Sequence, residues 1–173
     1  MQQWKNLKGM NNILITSAGQ RVSLVQAFQK ELINSRIDGK VFTTDLNPKL
    51  SAACNVSDKY FKVERVTESS YIDTLLDICI SNNIKMKVPT IDTELQILAD
   101  NNKLFEENGI HIVISSPEFI SICRDKRKTN VFFEAHDITI PKSRDKYNPT
   151  FPLFIKPNDG SLSSNIFIIN SFD

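Results

Sequence analysis

The sequence predicts an α/β protein: a five-stranded parallel sheet covered on both faces by helices, followed by a shorter region of different organisation. Three observations carry this. From Asn12 to Ile114, apolar runs of strand length alternate with amphipathic stretches of helix length, the order that gives a parallel sheet with right-handed crossovers. After Ser115 the alternation stops, and two helical stretches follow one another with no strand between them. Near the carboxyl end, Phe151–Ile169 reads as a strand, a small-residue loop and a second strand. A boundary near Ser115 then divides the chain into an extension (1–9), a domain (10–115) and a further region (116–173).

Taken in order, Asn12–Thr16 is a short apolar strand, and Ser17-Ala18-Gly19 turns into a helix whose Leu24, Val25, Phe28 and Leu32 share a face. Ile37-Asp38-Gly39 leads to a strand over Lys40–Thr44 ending at Asp45; Asn47-Pro48 breaks it and a loop follows. Lys59–Val63 is a third strand. Ser70-Tyr71-Ile72-Asp73 has capping-box spacing ahead of Leu75, Leu76, Cys79 and Ile80. Ile84–Thr90 is a fourth strand; Asp92 is placed to cap a helix carrying Leu95, Leu98 and Ala99, and Gly109 to stop the helical stretch through Leu104 and Phe105. Ile110–Ile114 is the fifth strand. Ser116-Pro117-Glu118 opens the first of the two later helices and Asp125 the second, which runs to His136. Thr139–Tyr147 is a polar connector. Ile13, Leu14, Val41, Val88, Ile112 and Val113 are expected in the strands of the one parallel sheet.

Composition narrows the function classes. Apolar residues are 40% and charged residues 24% of 173, which fits a folded globular chain. A formal net charge of +1 creates no long-range field to gather nucleic acid or an anionic membrane, so neither is expected as a partner. Cys54, Cys79 and Cys123 form an odd set without metal-ligand spacing, each beside apolar neighbours; they read as buried reduced thiols in a cytoplasmic protein. His111 and His136 are isolated, so no metal site is expected. No run has the length of a signal peptide core or a membrane span.

Chemistry concentrates in Lys156-Pro157-Asn158-Asp159-Gly160-Ser161-Leu162-Ser163-Ser164-Asn165. Pro157 ends the apolar run Leu153-Phe154-Ile155 and leaves Lys156 at the strand's mouth. The loop's N–H groups and hydroxyls suit phosphate oxygens with an ammonium nearby; the same composition also makes an ordinary serine-rich hairpin with a solvated lysine. Lys156-Pro157-x-Asp159-Gly160-Ser161-x-Ser163 resembles the first nucleotide-binding strand and loop of the ATP-grasp superfamily, in particular its members similar to the carbamoyl-phosphate synthase large subunit. The resemblance implies that Lys156 contacts ATP and that Gly160, Ser161 and Ser163 fold over its phosphates. The family loop carries glycine where this chain has Leu162 and Asn165. Arg124-Asp125-Lys126-x-Lys128 before Val131, Phe132 and Phe133 resembles the helix that opens the ATP-grasp region. There Lys126 would contact the nucleotide; on its residues alone, Asp125 capping a basic helix start explains the stretch equally. Arg124, Lys126, Arg127 and Lys128 also form a local basic patch.

The preceding domain, from Asn12-Ile13-Leu14-Ile15-Thr16-Ser17-Ala18-Gly19 to Val88-Pro89-Thr90-Ile91-Asp92-Thr93-Glu94-Leu95, resembles the Rossmann-like preATP-grasp domain. A dinucleotide reading fails because only Gly19 stands where the fingerprint needs three glycines. At the carboxyl ends of the strands, Gly19, Asp45, Asp92 and Glu94 are candidates for a small-substrate crevice, with helix capping the competing role of Asp92. The resemblance implies ATP as cofactor, with Mg²⁺ bound in complete relatives by residues beyond this chain. No catalytic residue is therefore assigned, and the expectation is a truncated carboxylate-amine ligase-like protein, inactive alone. A non-catalytic module holding a metabolite or partner, and a remnant without selected function, are the other readings. Phe154, Phe167, Ile168 and Phe172 are expected to meet a second copy or a missing carboxyl-terminal portion.

Overall fold

The computed structural model describes residues 11–141, 144, 145, 147–159 and 165–172. The extension and the loop residues Gly160, Ser161, Leu162, Ser163 and Ser164 lie outside the described residues. The chain divides into two compact units, Met1–Ser115 and Ser116–Asp173.

In the first unit, β1 (Asn12–Thr16), β2 (Val41–Asp45), β3 (Lys59–Lys62), β4 (Ile84–Pro89) and β5 (His111–Ile112) form one sheet. Every neighbouring pair is parallel and the order is β3-β2-β1-β4-β5. The α/β class and the parallel, Rossmann-like sheet expected from the sequence are what the chain forms. All five residues of β1 are buried, because helices cover both faces of the sheet. Alternation along the strand sends Ile13 and Ile15 to one face with Val25 and Leu32 of α1 (Val22–Asn34) and Ala53 of α2 (Ala52–Val56). Leu14 goes to the other face. There it joins Leu75 of α3 (Tyr71–Ser81), Leu98 of α4 (Leu95–Asp100) and Phe105 of α5 (Asn102–Glu107). Each such side chain, once buried, contributes roughly 1.5–3 kcal/mol.

Several expectations need correction. Val113 is not in a strand: β5 is an edge strand that stops at Ile112, and Val113 is exposed, although its N–H still donates to Lys87 O at 2.9 Å. The stretch after Asn47-Pro48 is not a loop; a 3₁₀ turn (Pro48–Leu50) runs into α2. Ser51 makes that helix, its hydroxyl accepting from Cys54 N at 3.2 Å and donating to Gly19 O at 2.8 Å. Ser70 holds the cap position of α3, but its hydroxyl donates to Glu64 Oε1 at 2.7 Å instead of accepting from the helix. Asp92 does not cap α4. That position belongs to Glu94, and Asp92 begins the preceding 3₁₀ turn (Asp92–Glu94). Gly109 does stop α5: at φ +70° it lets its own N–H reach Glu106 O and the Ile110 N–H reach Phe105 O, at 2.9 and 3.0 Å.

The second unit holds α6 (Pro117–Arg124), α7 (Lys126–Glu134) and the antiparallel pair β6 (Leu153–Ile155) and β7 (Phe167–Ile169). Ser116 caps α6 by accepting from Phe119 N at 3.3 Å, ahead of Pro117 in the first turn. Among the described residues of this unit only Ile120 is buried. With so shallow an interior, Cys123 is exposed, against expectation, whereas Cys54 and Cys79 are buried; all three are free thiols. Register pairs Phe154 with Ile168 on one face of the hairpin and Ile155 with Phe167 on the other, and all four are exposed.

Candidate functional site

In a sheet of this order, the connections from β1 and from β4 leave in opposite directions, and ligands of open α/β sheets enter the crevice at the carboxyl ends of those strands. The loop after β1 has Ser17 at φ +52° and Gly19 at φ +50°. A side chain at position 19 would meet nothing closer than Ser17 O at 3.8 Å, so backbone conformation, not space, selects glycine. The Gly19 N–H, the group that would face a phosphate, donates instead to Asp45 Oδ2 at 3.0 Å, while Asp45 Oδ1 accepts from Asn47 N at 2.8 Å. The structure thus brings the sequence candidates Gly19 and Asp45 together, with the carboxylate satisfying the loop.

Glu94, the third candidate, is fully buried and does not open on the crevice. Its Oε1 accepts from Thr16 Oγ1 at 3.0 Å and Thr90 N at 3.1 Å, and its Oε2 from Tyr71 Oη at 2.7 Å. Burial, with the Glu94 carboxylate next in importance, drives the Tyr71 hydroxyl well above the ordinary tyrosine range. Thr90 Oγ1 shares its proton between Thr16 O at 2.9 Å and Ser17 O at 2.8 Å, and Arg21 Nη2 donates to Thr90 O at 2.9 Å. The floor of the crevice is therefore a closed polar network joining β1, β4 and the turn at Glu94. Asp92 is exposed.

Sequence reasoning missed Lys87. It is fully buried on the Leu14 side of the sheet, its Nζ 4.3 Å from the centre of the Phe105 ring and without a hydrogen-bond partner among the described residues. Burial pulls the ammonium down to about 8, against smaller opposing pulls from Cys79 and Glu94. A β-bulge puts it there. Asn12 and Ile13 pair with Ile84 and Met86, so Lys85 is the extra residue and the alternation changes phase across it. Ile84 and Lys87 then both lie on the Leu14 side, with Met86 and Val88 on the other. Lys85 and Lys87 two apart read as a polar face; in a sheet covered on both faces no such face exists.

In the second unit Asp125 caps α7, its Oδ1 accepting from Arg127 N at 2.8 Å and Lys128 N at 3.3 Å. A hydrogen bond with the Asn158 side chain, then these N–H groups, brings its carboxyl down to about 2. Lys126 donates to Asn158 O through both N and Nζ, each at 3.1 Å. The helix start and the segment after β6 are thus fastened to each other, which brings Lys126 close in space to the residues following Lys156. Lys156 itself is exposed. Asn165 has φ +55°, the left-handed conformation that asparagine tolerates and glycine adopts freely. Of the residues that would fold over phosphate, Gly160, Ser161 and Ser163 lie outside the described residues. Among the described residues no group of three or more His, Cys, Asp or Glu could hold a metal ion. Among them also, no helix is long and apolar enough to cross a membrane.

Comparisons with known proteins match this architecture. Over most of its length the chain is similar to a point variant of pyruvate carboxylase from Rhizobium etli, solved with the allosteric activator acetyl coenzyme A. The TM-score is 0.67 at 11% identity, over 95% of this chain and 16% of that one. The biotin carboxylase domain of Hydrogenobacter thermophilus 2-oxoglutarate carboxylase, solved with MgADP, ADP and bicarbonate, gives 0.66 at 16% identity, over 94% and 38%. The biotin carboxylase domain of a single-chain bacterial carboxylase gives 0.55 at 13%, over 79% and 31%. At such identities the likeness establishes the fold, and the chain spans well under half of each of these proteins. No curated protein sequence matches significantly. The family model described as PylC-like, N-terminal domain matches residues 13–113, the five-stranded sheet apart from Asn12 and more than half of the sequence. This upholds the resemblance to the amino-terminal domain of ATP-grasp proteins, and the chain belongs to the PylC-like N-terminal domain family.

Proposed function

We propose that this chain serves as the amino-terminal part of an ATP-dependent carboxylate-amine ligase of carbamoyl-phosphate-synthase-like type. Its first unit is the preATP-grasp domain and its second the beginning of the nucleotide-binding region. The observation that carries the reading is the double tie of Lys126 to Asn158 O, which sets one cation against the segment between Lys156 and the small-residue loop. In this arrangement Lys156 and Lys126 hold and orient the anionic nucleotide, and the loop N–H groups and hydroxyls meet its phosphates. A bound Mg²⁺–ATP would supply the phosphoryl group that activates a carboxylate. On this reading the chain alone is inactive and works in the cytoplasm; its formal net charge of +1 supports the absence of nucleic-acid and membrane partners, and catalysis belongs to longer polypeptide such as the solved structures have, of which this chain spans 16% and 38%.

Calorimetric titration with MgATP tests this. Weak binding is expected, reduced about ten-fold by Lys156→Ala, the effect of losing roughly 1.4 kcal/mol, with no ATP hydrolysis above a buffer control. Turnover that disappears on Lys156→Ala would overturn the inactivity, and absence of any ATP binding would overturn the nucleotide role.

A second reading, a non-catalytic metabolite-binding module, is favoured by a cavity of about 510 Å³ beside the carboxyl end of β3, lined by Lys62, Glu64, Arg65, Glu68 and Ser70. Thr74 and Ser70 hydroxyls hold the Glu64 carboxyl below its usual range. A small zwitterion that binds the chain, and is lost on Arg65→Ala while ATP binding persists, would favour this reading.

A further inference from the structure

Helices α6 and α7 meet along a groove that no function considered so far uses. Its volume is about 560 Å³, inside the few-hundred-to-thousand Å³ range of small-molecule sites and too short for a docked helix of several turns. Ile122, Val131, Phe132 and Ala135 make an apolar floor. Val131 is 66% exposed there, although apolar. Phe132 is held in place by edge contact with Phe119 at 5.7 Å between ring centres and by His136 at 4.2 Å. One end of the groove is cationic. Arg127 and Lys128 line it, and Lys128 Nζ is steadied by donating to Ser121 Oγ at 3.0 Å. The acid among the lining residues, Asp125, is engaged by the helix N–H groups and lies 3.6 Å from the exposed Arg127 guanidinium. Lys126, whose ammonium turns to Asn158 O, is not among the lining residues.

We propose that this groove binds a small amphipathic anion: an apolar ring pair or short acyl chain lying on Val131 and Phe132, with a carboxylate, sulfonate or phosphate end at Arg127 and Lys128. Charge complementarity selects this occupant. An apolar floor alone would accept any greasy surface, whereas an apolar floor that ends at two cations and one engaged acid favours a ligand with its charge at one end. The apolar body supplies most of the affinity and the charged end sets its direction along the groove.

Fluorescence titration of the full chain with anilinonaphthalene sulfonate, and with neutral phenylnaphthylamine, tests the proposal. One saturable site for the sulfonate is expected. Val131→Asp, at an exposed position where folding is not at stake, should weaken it by about ten-fold or more. The double variant Arg127→Glu, Lys128→Glu should weaken the sulfonate about ten-fold while leaving the neutral probe within about two-fold; acidic residues in the first turn of a helix favour its formation, so α7 is retained. Equal loss of both probes in the double variant would overturn the charge selection. Binding that survives Val131→Asp but disappears with Phe167→Asp would place the probe on the β6–β7 hairpin and overturn the site. Displacement by ATP would make the groove part of a nucleotide site instead. Quenched binding that follows self-association of the chain would show that a second copy covers the groove.

Discussion

Lys87 combines a charge with an apolar surrounding, and its response to pH can be worked out. Its ammonium lacks a hydrogen bond among the described residues and sits at about 8, while an unfolded lysine titrates near 10.4. Between those values the unfolded chain keeps a proton that the folded chain has released, so the stability attributable to Lys87 rises with pH through that window and is constant below it. Lys87→Met should therefore stabilise the protein by about 1–3 kcal/mol at pH 7, and its advantage over the parent should shrink from pH 8 toward pH 10. Urea midpoints across that range measure both. Cys79, pushed up by burial to about 11, titrates in the opposite sense, but it is present in both chains and largely cancels. An advantage that does not change with pH would show that the ammonium is not confined as described. Glu94 gives the converse case. Glu94→Ala leaves the hydroxyls of Thr16 and Tyr71 and the Thr90 N–H without their acceptor, at about 1–3 kcal/mol each. A denaturant midpoint lowered by only the amount of an ordinary surface substitution would contradict the network.

At the scale of elements, two glycines separate strain from crowding. At Gly109 a Cβ meets nothing within 4 Å but the backbone is at φ +70°, so Gly109→Ala should cost roughly 1–2 kcal/mol from conformation alone. At Gly39 a Cβ would lie 2.5 Å from Asn11 O, a backbone atom that cannot swing aside. Gly39→Ala should be the more damaging of the two in thermal denaturation, because it forces β1 and the approach to β2 apart. Legibility in the sequence follows the same division between local and distant causes. Apolar runs placed β1 to β4 within a residue or so, and Ser116, Asp125 and Gly109 marked helix ends by chemistry that acts over three or four residues. Helix α2 escaped because its start depends on Ser51 donating to Gly19 O, a partner far away in the chain. Lys87 escaped because a bulge reverses the alternation that a period of two assumes. The site was half legible: Gly19 and Asp45 do meet, but the bond between them, and the burial of Glu94, come from a strand order that no local pattern encodes.

For the whole molecule, the two units differ in how far they bury their apolar residues. The first encloses its sheet; the second leaves Phe154, Phe167, Ile168 and Phe172 between 59% and 82% exposed. Apolar strand edges of this kind recruit other chains, so the chain is expected to self-associate through the hairpin or to be covered by further polypeptide. Sedimentation at rising concentration, compared between the parent and Phe154→Asp, measures the first. A concentration-independent monomer whose hairpin amides exchange as slowly as those of Ile13–Ile15 would exclude both. The strand order also has a consequence in time. The first strand made, β1, ends up in the middle, and β2 can close only one of its sides. The other waits for β4, roughly seventy residues later in the sequence, which is about 4 to 15 seconds of synthesis at ~5–20 residues per second. During that interval the emerging chain carries an open apolar edge, Ile13-Leu14-Ile15, and this is when a chaperone on the ribosome has most to protect.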